Sequence, residues 1–345
     1  MDQAATARAL KKSRHRVKAD VTDVLLSPQE RAEIRAAVER GTRPVIAVAQ
    51  RKGGSGKTTC ARTICELAAI PEAYGLPTLA IDFDSQCSLS KLYLQMDTPD
   101  SDDTSTRPPI HPDYDPGEEG NEWNGRSSSA DIFYADGSVA AYPVTRVKGV
   151  GRLELLPADV SKLTEVEEHD RTYLAERVQN RLRDWINQPD VIAEYPLVVL
   201  DTAPSDHPLT RAALRAATHL LIPVVLEQQG IDGLHEMLSL WRQENTRRTE
   251  SDMLQIIAIQ PNLVMPGKLH EGVLKSLKDA PAFAHYLSPM LIKRRTAIAE
   301  RDLRGVEPSS IFHMSRDEEP RQMMRDFARF VLRRAFLGED STSGR

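Results

Sequence analysis

The sequence predicts an α/β protein with a parallel, doubly wound sheet, helices on both faces and a short helical N-terminal extension. The first observation is a series of short apolar runs rich in β-branched residues, separated in several places by helical stretches. These runs occupy residues 43–50, 76–84, 153–158, 195–201, 219–226 and 253–261. Continuous apolar strands of this kind are typical of parallel sheets that helices cover on both faces. The second observation is that polar residues follow three runs, at the edge where such sheets bind ligands.

Length and composition are those of an ordinary folded protein. The 345 residues are 40% hydrophobic and 28% charged, and the net charge of −5 excludes a globally basic nucleic-acid binder. The three cysteines, Cys60, Cys65 and Cys87, form no CxxC pair and have no histidine cluster near them, which argues against a zinc site and a disulfide framework. The N-terminus lacks an apolar core, and no run of about 18 apolar residues occurs, so we expect a cytoplasmic protein.

Three segments are expected along the chain. Residues 1–43 comprise a basic tail and a helix, residues 44–337 form the main domain, and residues 338–345 form a disordered tail. Within the main domain, residues 97–131 are rich in Asp, Pro, Gly and Ser and poor in aliphatic side chains. A segment of this composition buries too little surface to offset its ordering entropy, so we expect a mobile acidic insertion.

A glycine-rich turn follows the first apolar run and reads KGGSGKTT. Glycines let successive backbone N–H groups turn inward around phosphates, and the helix that follows adds its positive end. The turn therefore predicts a phosphate-binding loop in which Lys57 contacts the β- and γ-phosphates and the Thr58 hydroxyl binds Mg²⁺. The residues expected to bind the nucleotide are Gly53, Gly54, Ser55, Gly56, Lys57, Thr58 and Thr59.

Carboxylates follow two other apolar runs. Asp201 comes after LVVL and fits a second magnesium position, usually through water. Asp82 and Asp84 lie two residues apart, so on a continuing strand their side chains point the same way. Beside a triphosphate site, a role in binding metal or orienting an attacking water is favoured over a solvated strand end.

Four stretches occur in the order and spacing of the ParA/MinD family of deviant Walker P-loop NTPases, namely KGGSGKTT, AIDFDSQCSLS, LVVLDTAPS and LIPVVLEQQGIDGL. A fifth stretch, LIKRRTAIAERDLRGVEP, is similar to the C-terminal segment of that family. Together they cover roughly residues 44 to 335, and within the family the chain most resembles the ParA partition ATPases. The resemblance implies an enzyme that hydrolyses ATP to ADP and phosphate, with ATP and Mg²⁺ as its cofactors.

The resemblance also gives a role to the lysine that opens the loop. In the family this residue, here Lys52, reaches across a dimer interface to the phosphates bound by the partner, like an arginine finger. An ATP-dependent homodimer is therefore implied. By the same match Asp84 would position the hydrolytic water, with Asp82 nearby in support, so the expected catalytic residues are Lys52, Lys57 and Asp84. Arg51, where Gln or Ser is more usual, has no explanation at this level.

The resemblance further implies nonspecific DNA binding. Lys293, Arg294 and Arg295, with Arg301 on the following helix, are expected to contact phosphates without reading bases. A ParB-type centromere-binding partner would stimulate hydrolysis, and the ATP-bound form would be associated with the nucleoid. The cargo would be a plasmid, a chromosome or a similar DNA.

Other activities of the family are less well supported. No cysteine follows Cys87, which excludes an iron–sulfur reductase of the nitrogenase type. The main alternative is a MinD-like membrane-associated positioning ATPase, because DEEPRQMMRDFARFVLRRAF carries apolar residues at helical spacing. A core-packing final helix is the commoner explanation, so membrane binding is the less favoured interpretation. A small-substrate ligase built on the same loop is a third class, but nothing in the sequence marks a substrate pocket.

Overall fold

The structure, a computed structural model, describes residues 26–99, 105–117, 123–134, 139–168, 175–204, 206–301, 309–313 and 318–338. The predicted basic tail and most of the predicted C-terminal tail lie outside these residues. The strands are β1 (Val45–Val48), β2 (Thr78–Phe83), β3 (Tyr142–Pro143), β4 (Leu153–Leu156), β5 (Leu197–Thr202), β6 (His219–Val225) and β7 (Gln255–Asn262). The helices are α1 (Pro28–Glu39), α2 (Lys57–Ala69), α3 (Ser88–Tyr93), α4 (Val160–Glu168), α5 (Ala175–Ile186), α6 (Pro189–Glu194), α7 (Pro208–Ala216), α8 (Gln228–Asn245), α9 (Lys268–Asp279), α10 (Pro281–Ala284), α11 (Thr296–Arg301) and α12 (Glu318–Leu337).

The strands form one sheet in the order β3-β4-β2-β5-β1-β6-β7. Neighbouring strands are parallel except at one edge, where the two-residue β3 runs antiparallel to β4. The register pairs Asp201 on β5 with Val48 of β1 on one side and with Asp82 of β2 on the other. The predicted parallel, doubly wound sheet is confirmed, with the antiparallel edge as an addition.

Helices cover both faces of the sheet, as its apolar strands require. Along β1 the side chains alternate between two cores, with Ile46 and Val48 on one face and Val45 and Ala47 on the other. The first core is completed by α1, α2 and α12, and the second by α5, α7 and α8. Because β1 is buried on both faces, the chain that leaves it is held rigidly where the phosphate loop begins.

The N-terminal helix belongs to the same packed body as the rest. Ser27 caps α1 by accepting a hydrogen bond from Glu30 N at 3.1 Å. The buried Glu30 carboxylate accepts a hydrogen bond from the Tyr74 hydroxyl at 2.6 Å and pairs with Arg329 of α12 at 2.6 Å. The boundary expected at residue 43 is therefore not a break in packing, since α1 is attached to the helix that ends the described chain.

The acidic segment is more closely packed than its composition predicts. The Tyr142 hydroxyl donates to Pro109 O at 2.8 Å and accepts from Ser127 N at 3.1 Å, while the Tyr142 ring is buried. Ser129 Oγ donates to Asp82 O at 2.6 Å, which ties the segment to the end of β2. The expectation that residues 97–131 bury little surface is wrong for the described part, because an aromatic ring and hydrogen bonds anchor it instead of aliphatic side chains. Its mobility stays a prediction.

A pair of tyrosine variants tests whether these anchors stabilise the fold. Tyr142→Phe removes one buried hydroxyl and leaves Pro109 O and Ser127 N without it, so we expect the free energy of unfolding to fall by about 1–3 kcal/mol. The control is Tyr134→Phe, whose hydroxyl bonds Glu165 at the surface, and its loss is expected to stay below about 0.5 kcal/mol. Urea titration measures both, and equal small losses would show that the anchor does not hold the segment.

Candidate functional site

The phosphate loop leaves the carboxyl end of β1 and enters α2 at Lys57. Gly54 and Gly56 have φ values of +71° and +81°, a region that favours glycine. A Cβ at Gly56 would lie 2.3 Å from Asn262 Nδ2, so the space there admits no side chain unless Asn262 moves. The predicted loop therefore has the backbone shape that turns successive N–H groups inward.

Asn262 at the end of β7 closes the loop from the other side. Its Nδ2 donates to Ser55 O at 2.7 Å, and its Oδ1 accepts from Leu263 N at 2.9 Å. Asn262 was not among the site residues predicted from the sequence. The signal was present, because Asn262 follows an apolar run and lies at the carboxyl edge to which the other site residues were assigned.

Lys57 lies within the site with only 6% of its surface exposed. Burial lowers its pKa, and the nearby carboxylates of Asp201 and Asp84 offset part of that shift. The structure therefore brings three of the predicted site residues together, with the ammonium of Lys57 near the carboxylates of Asp201 and Asp84. A bound phosphate would give this buried ammonium a further charge partner.

Asp201 is the acid best placed to bind a metal ion. It is fully buried, and burial followed by the charge of Asp82 raises its pKa well above the usual range. The Thr58 hydroxyl opposes this shift, yet neither Asp201 oxygen has a hydrogen-bond partner of normal geometry among the residues described. Buried oxygens without donors suit a hard cation such as Mg²⁺, so Thr58 and Asp201 fit the predicted metal position.

Asp82 has a different environment. Its Oδ1 accepts from Asp84 N at 3.0 Å, and its Oδ2 accepts from Ser90 N at 2.9 Å and from Ser90 Oγ at 2.7 Å. Burial and the charge of Asp84 raise the pKa of Asp82 to about 7. With its oxygens held by protein donors, Asp82 is suited to fixing the turn that carries Asp84. The geometry disfavours its predicted role as a metal ligand, and the Ser90 contact was not foreseen.

Asp84 lies just beyond Asp82 with 9% of its surface exposed, and its Oδ1 accepts from Gln86 N at 2.9 Å. Unlike Asp82, it takes only one hydrogen bond from the described chain. This leaves acceptor capacity for a water molecule, which is what the predicted role requires.

A cleft of about 860 Å³ opens beside the loop. Its lining includes Lys52 and the loop glycines on one side and the apolar side chains of Leu263, Ile292 and Ile298 on another. Lys52 is exposed, and no hydrogen-bond or ion-pair partner for its side chain occurs in the described part of the chain. The cleft therefore has positive charge on one side and apolar side chains on another. The first would suit the phosphates of a nucleotide, and the second would suit its base.

The cations predicted to bind DNA line this same cleft. Lys293, Arg294 and Arg295 lie along its wall rather than on a separate face. Glu319 pairs with Lys293 at 3.3 Å and also with Arg295, whereas the exposed Arg294 side chain has no partner among the described residues. Arg301 ends α11, and its side chain lies outside the described part of the structure.

Arg51, unexplained by the sequence, has two partners in the structure. Its guanidinium lies 3.3 Å from Glu236 on α8 and 3.9 Å from Asp206, which precedes α7. The residue before Lys52 is therefore attached to two neighbouring elements.

Solved structures share this fold. A variant of McdA from Cyanothece, in complex with ATP, aligns with a TM-score of 0.62 and 15% identity over 84% of this chain and 96% of that one. Cobyrinic acid a,c-diamide synthase from Mycobacterium smegmatis, with bound ADP and magnesium, aligns with a TM-score of 0.58 and 20% identity over 86% and 97%. A plasmid partition protein from Borrelia burgdorferi aligns with a TM-score of 0.53 and 19% identity over 75% and 94%. At these identities the likeness shows the fold alone.

Comparison of sequences establishes the family of the chain as well as its fold. A Rhizobium rhizogenes protein named "Putative replication protein A" is 30% identical over 202 residues, which are 57% of this chain and 43% of that protein. The chain thus spans less than half the length of this relative. A family model described as an AAA domain, AAA_31, matches residues 43–256, more than half of the chain. The chain therefore belongs to the AAA_31 family, and the ParA/MinD-type resemblance predicted from its motifs is confirmed.

Proposed function

We propose that the protein is a ParA-type partition ATPase that dimerises on ATP, binds DNA without sequence preference and is released from DNA by hydrolysis. A ParB-type partner would stimulate hydrolysis, and the ATP-bound form would be associated with the nucleoid. The observation that carries the proposal is that the Lys52 side chain has no partner within the described part of its own chain. This supports a role for Lys52 at a second copy. Lys52 lines the cleft beside the loop without a partner on the described chain, although Glu227 lines the same cleft.

ATP would bind with its phosphates on residues 53–59 and its base toward the apolar wall of the cleft. Lys57 would balance phosphate charge, and Thr58 and Asp201 would hold Mg²⁺, which neutralises the negative charge of the phosphates. Asp84 would hold the attacking water, and Asp82 would keep Asp84 in place through its backbone N–H.

The metal role of Asp201 can be tested without measuring turnover. Asp201→Asn keeps the shape of the side chain but removes a carboxylate whose charged form is disfavoured by burial and by Asp82, so we expect the protein without nucleotide to melt at the same or a higher temperature. Magnesium should then add nothing to the stabilisation by ATP, whereas it should raise the melting temperature of the unchanged protein. The control is the exposed Asp190→Asn, which should keep the full magnesium effect. A variant at Asp201 that responded to magnesium normally would refute this assignment.

Dimerisation would use Lys52 in trans. Lys52→Ala should leave ATP affinity within about threefold, because Lys57 and the loop backbone remain, but it should abolish the ATP-dependent dimer. Hydrolysis should fall by about 10³–10⁵, the range for cations supplied in trans. The matched variant Lys57→Ala should instead lose ATP binding itself. Fluorescent-nucleotide titration and light scattering separate the two, and a Lys52→Ala protein that dimerised and turned over normally would rule out the trans role.

DNA binding would rely most on Arg294, the cluster member without an acidic partner among the described residues. Arg294→Glu should weaken binding to unrelated DNA sequences alike and flatten the salt dependence by about 0.9 log unit per decade of salt for each phosphate that the variant no longer neutralises. The control is Arg242→Glu, the same charge reversal at the exposed end of α8 away from the cleft. Filter binding with ATP at several salt concentrations measures both. Equal effects of the two variants would show that only net charge matters.

The described structure gives less support to the membrane alternative. The apolar face of α12 packs in the first core through residues that include Met324, Phe327 and Val331, so it is not presented at the surface. No described helix combines the length and the apolar character that a membrane span needs. Binding to anionic liposomes in place of DNA, with ATP present, would favour the MinD-like interpretation.

A further inference from the structure

Arg51 stands directly before Lys52, and carboxylates from two other elements hold its guanidinium. Arg51 Nε lies 3.3 Å from Glu236 Oε2 on α8, and Nη1 lies 3.9 Å from Asp206 Oδ2, between β5 and α7. Arg211 of α7 holds Asp206 in turn, with its Nε 2.8 Å from Asp206 Oδ1. These side chains form a chain of alternating charge at the start of the phosphate loop.

The backbone at this point is packed closely against α8. Arg51 N donates to Gln50 Oε1 at 2.8 Å. A Cβ at Gly233 would lie 2.9 Å from Gln50 Oε1 and 3.4 Å from both Lys52 N and Lys52 Cβ, so a side chain there would displace the Gln50 amide. Glu236 lies three residues beyond Gly233 and hence on the same face of the helix. The close approach of α8 therefore places Glu236, the partner of Arg51, on the helix face that lies against the Lys52 backbone.

The two carboxylates would suit a lysine as well as an arginine. Lysine is a point charge on a flexible stem and can pair with any acid within reach, whereas the arginine fork holds two acids in fixed directions. Here Arg51 occupies Glu236 and Asp206, and Lys52 has no partner among the described side chains. Without Arg51, Glu236 would be open to Lys52, while Asp206 would be held by Arg211 alone.

We propose that Arg51 is a positioning residue that occupies Glu236 and Asp206 and so keeps Lys52 free to contact the nucleotide of a second copy. This rests on the trans role of Lys52 under the proposed function. It gives the two adjacent cations different roles. Arg51 pairs with acids of its own chain, and Lys52 therefore stays available for the nucleotide of the partner.

The first test is Arg51→Gln, which leaves Glu236 without its cation and Asp206 with Arg211 alone. Lys52 should then pair within its own chain, and the ATP-dependent dimer should weaken by about three- to tenfold, the range for one or two partly exposed ion pairs. ATP affinity of the monomer should stay within about twofold, because Arg51 does not line the cleft. Sedimentation with a slowly hydrolysed ATP analogue measures the dimer, and an unchanged dimer would overturn the proposal.

The second test is rescue. Adding Glu236→Gln and Asp206→Asn to Arg51→Gln removes the acids that would capture Lys52, so dimerisation should return to within about twofold of the unchanged protein. If Arg51 served only to brace the loop, the triple variant would be as weak as Arg51→Gln or weaker, and that result would overturn the proposal. Melting temperatures of both variants establish that each is folded.

Lys52→Ala, measured alongside, separates this inference from the function on which it rests. Loss of the dimer in Lys52→Ala with a normal dimer in Arg51→Gln would overturn only the role of Arg51. Absence of an ATP-dependent dimer in the unchanged protein would overturn both proposals. Weak dimerisation in Arg51→Gln together with recovery in the triple variant would support them both.

Discussion

Two buried carboxylates at the carboxyl edge of the sheet set the main constraint on the molecule. Asp82 and Asp201 are in register on neighbouring strands, and both are fully buried. Like charges so close in a nonpolar interior need compensation. The two carboxylates are stabilised unequally. Asp82 accepts hydrogen bonds from Ser90 and from the backbone N–H of Asp84. Asp201 has only the nearby charge of Lys57 and the Thr58 hydroxyl among the described groups. This inequality makes one acid a structural anchor and leaves the other for a ligand.

The features that depend on residues close in sequence are those that the sequence predicted. The parallel sheet followed from apolar runs, and the phosphate loop followed from glycine spacing, because both depend on residues close in sequence. The position of Asn262 after an apolar run was visible in the sequence, but its contact to Ser55, like that of Ser90 to Asp82, is created only by the tertiary structure. The partners of Arg51 were hidden for the same reason. The sequence thus predicts the residue types of the candidate site but not the side chains that hold them in place.

The burial of the acidic segment could not be predicted from its amino-acid composition. Counting aliphatic residues predicts little burial between residues 97 and 131, yet Ser127, Ser128 and Ser129 are buried there. Small polar side chains pack densely when each finds a hydrogen-bond partner, and Ser129 finds one in the carbonyl of Asp82. The segment is therefore connected to β2 at Asp82, one of the acids of the candidate site.

The contact between Asn262 and Ser55 has a consequence for how the protein is made. The two residues are 207 positions apart, so the hydrogen bond between them can form only when β7 is in place. During synthesis the loop leaves the ribosome long before β7 does, and a domain generally folds as a unit. A nascent chain thus carries the loop motif for most of its translation without the amide that closes it. The hydrogen bond that closes the loop therefore forms late in synthesis, after the last strand of the sheet has joined.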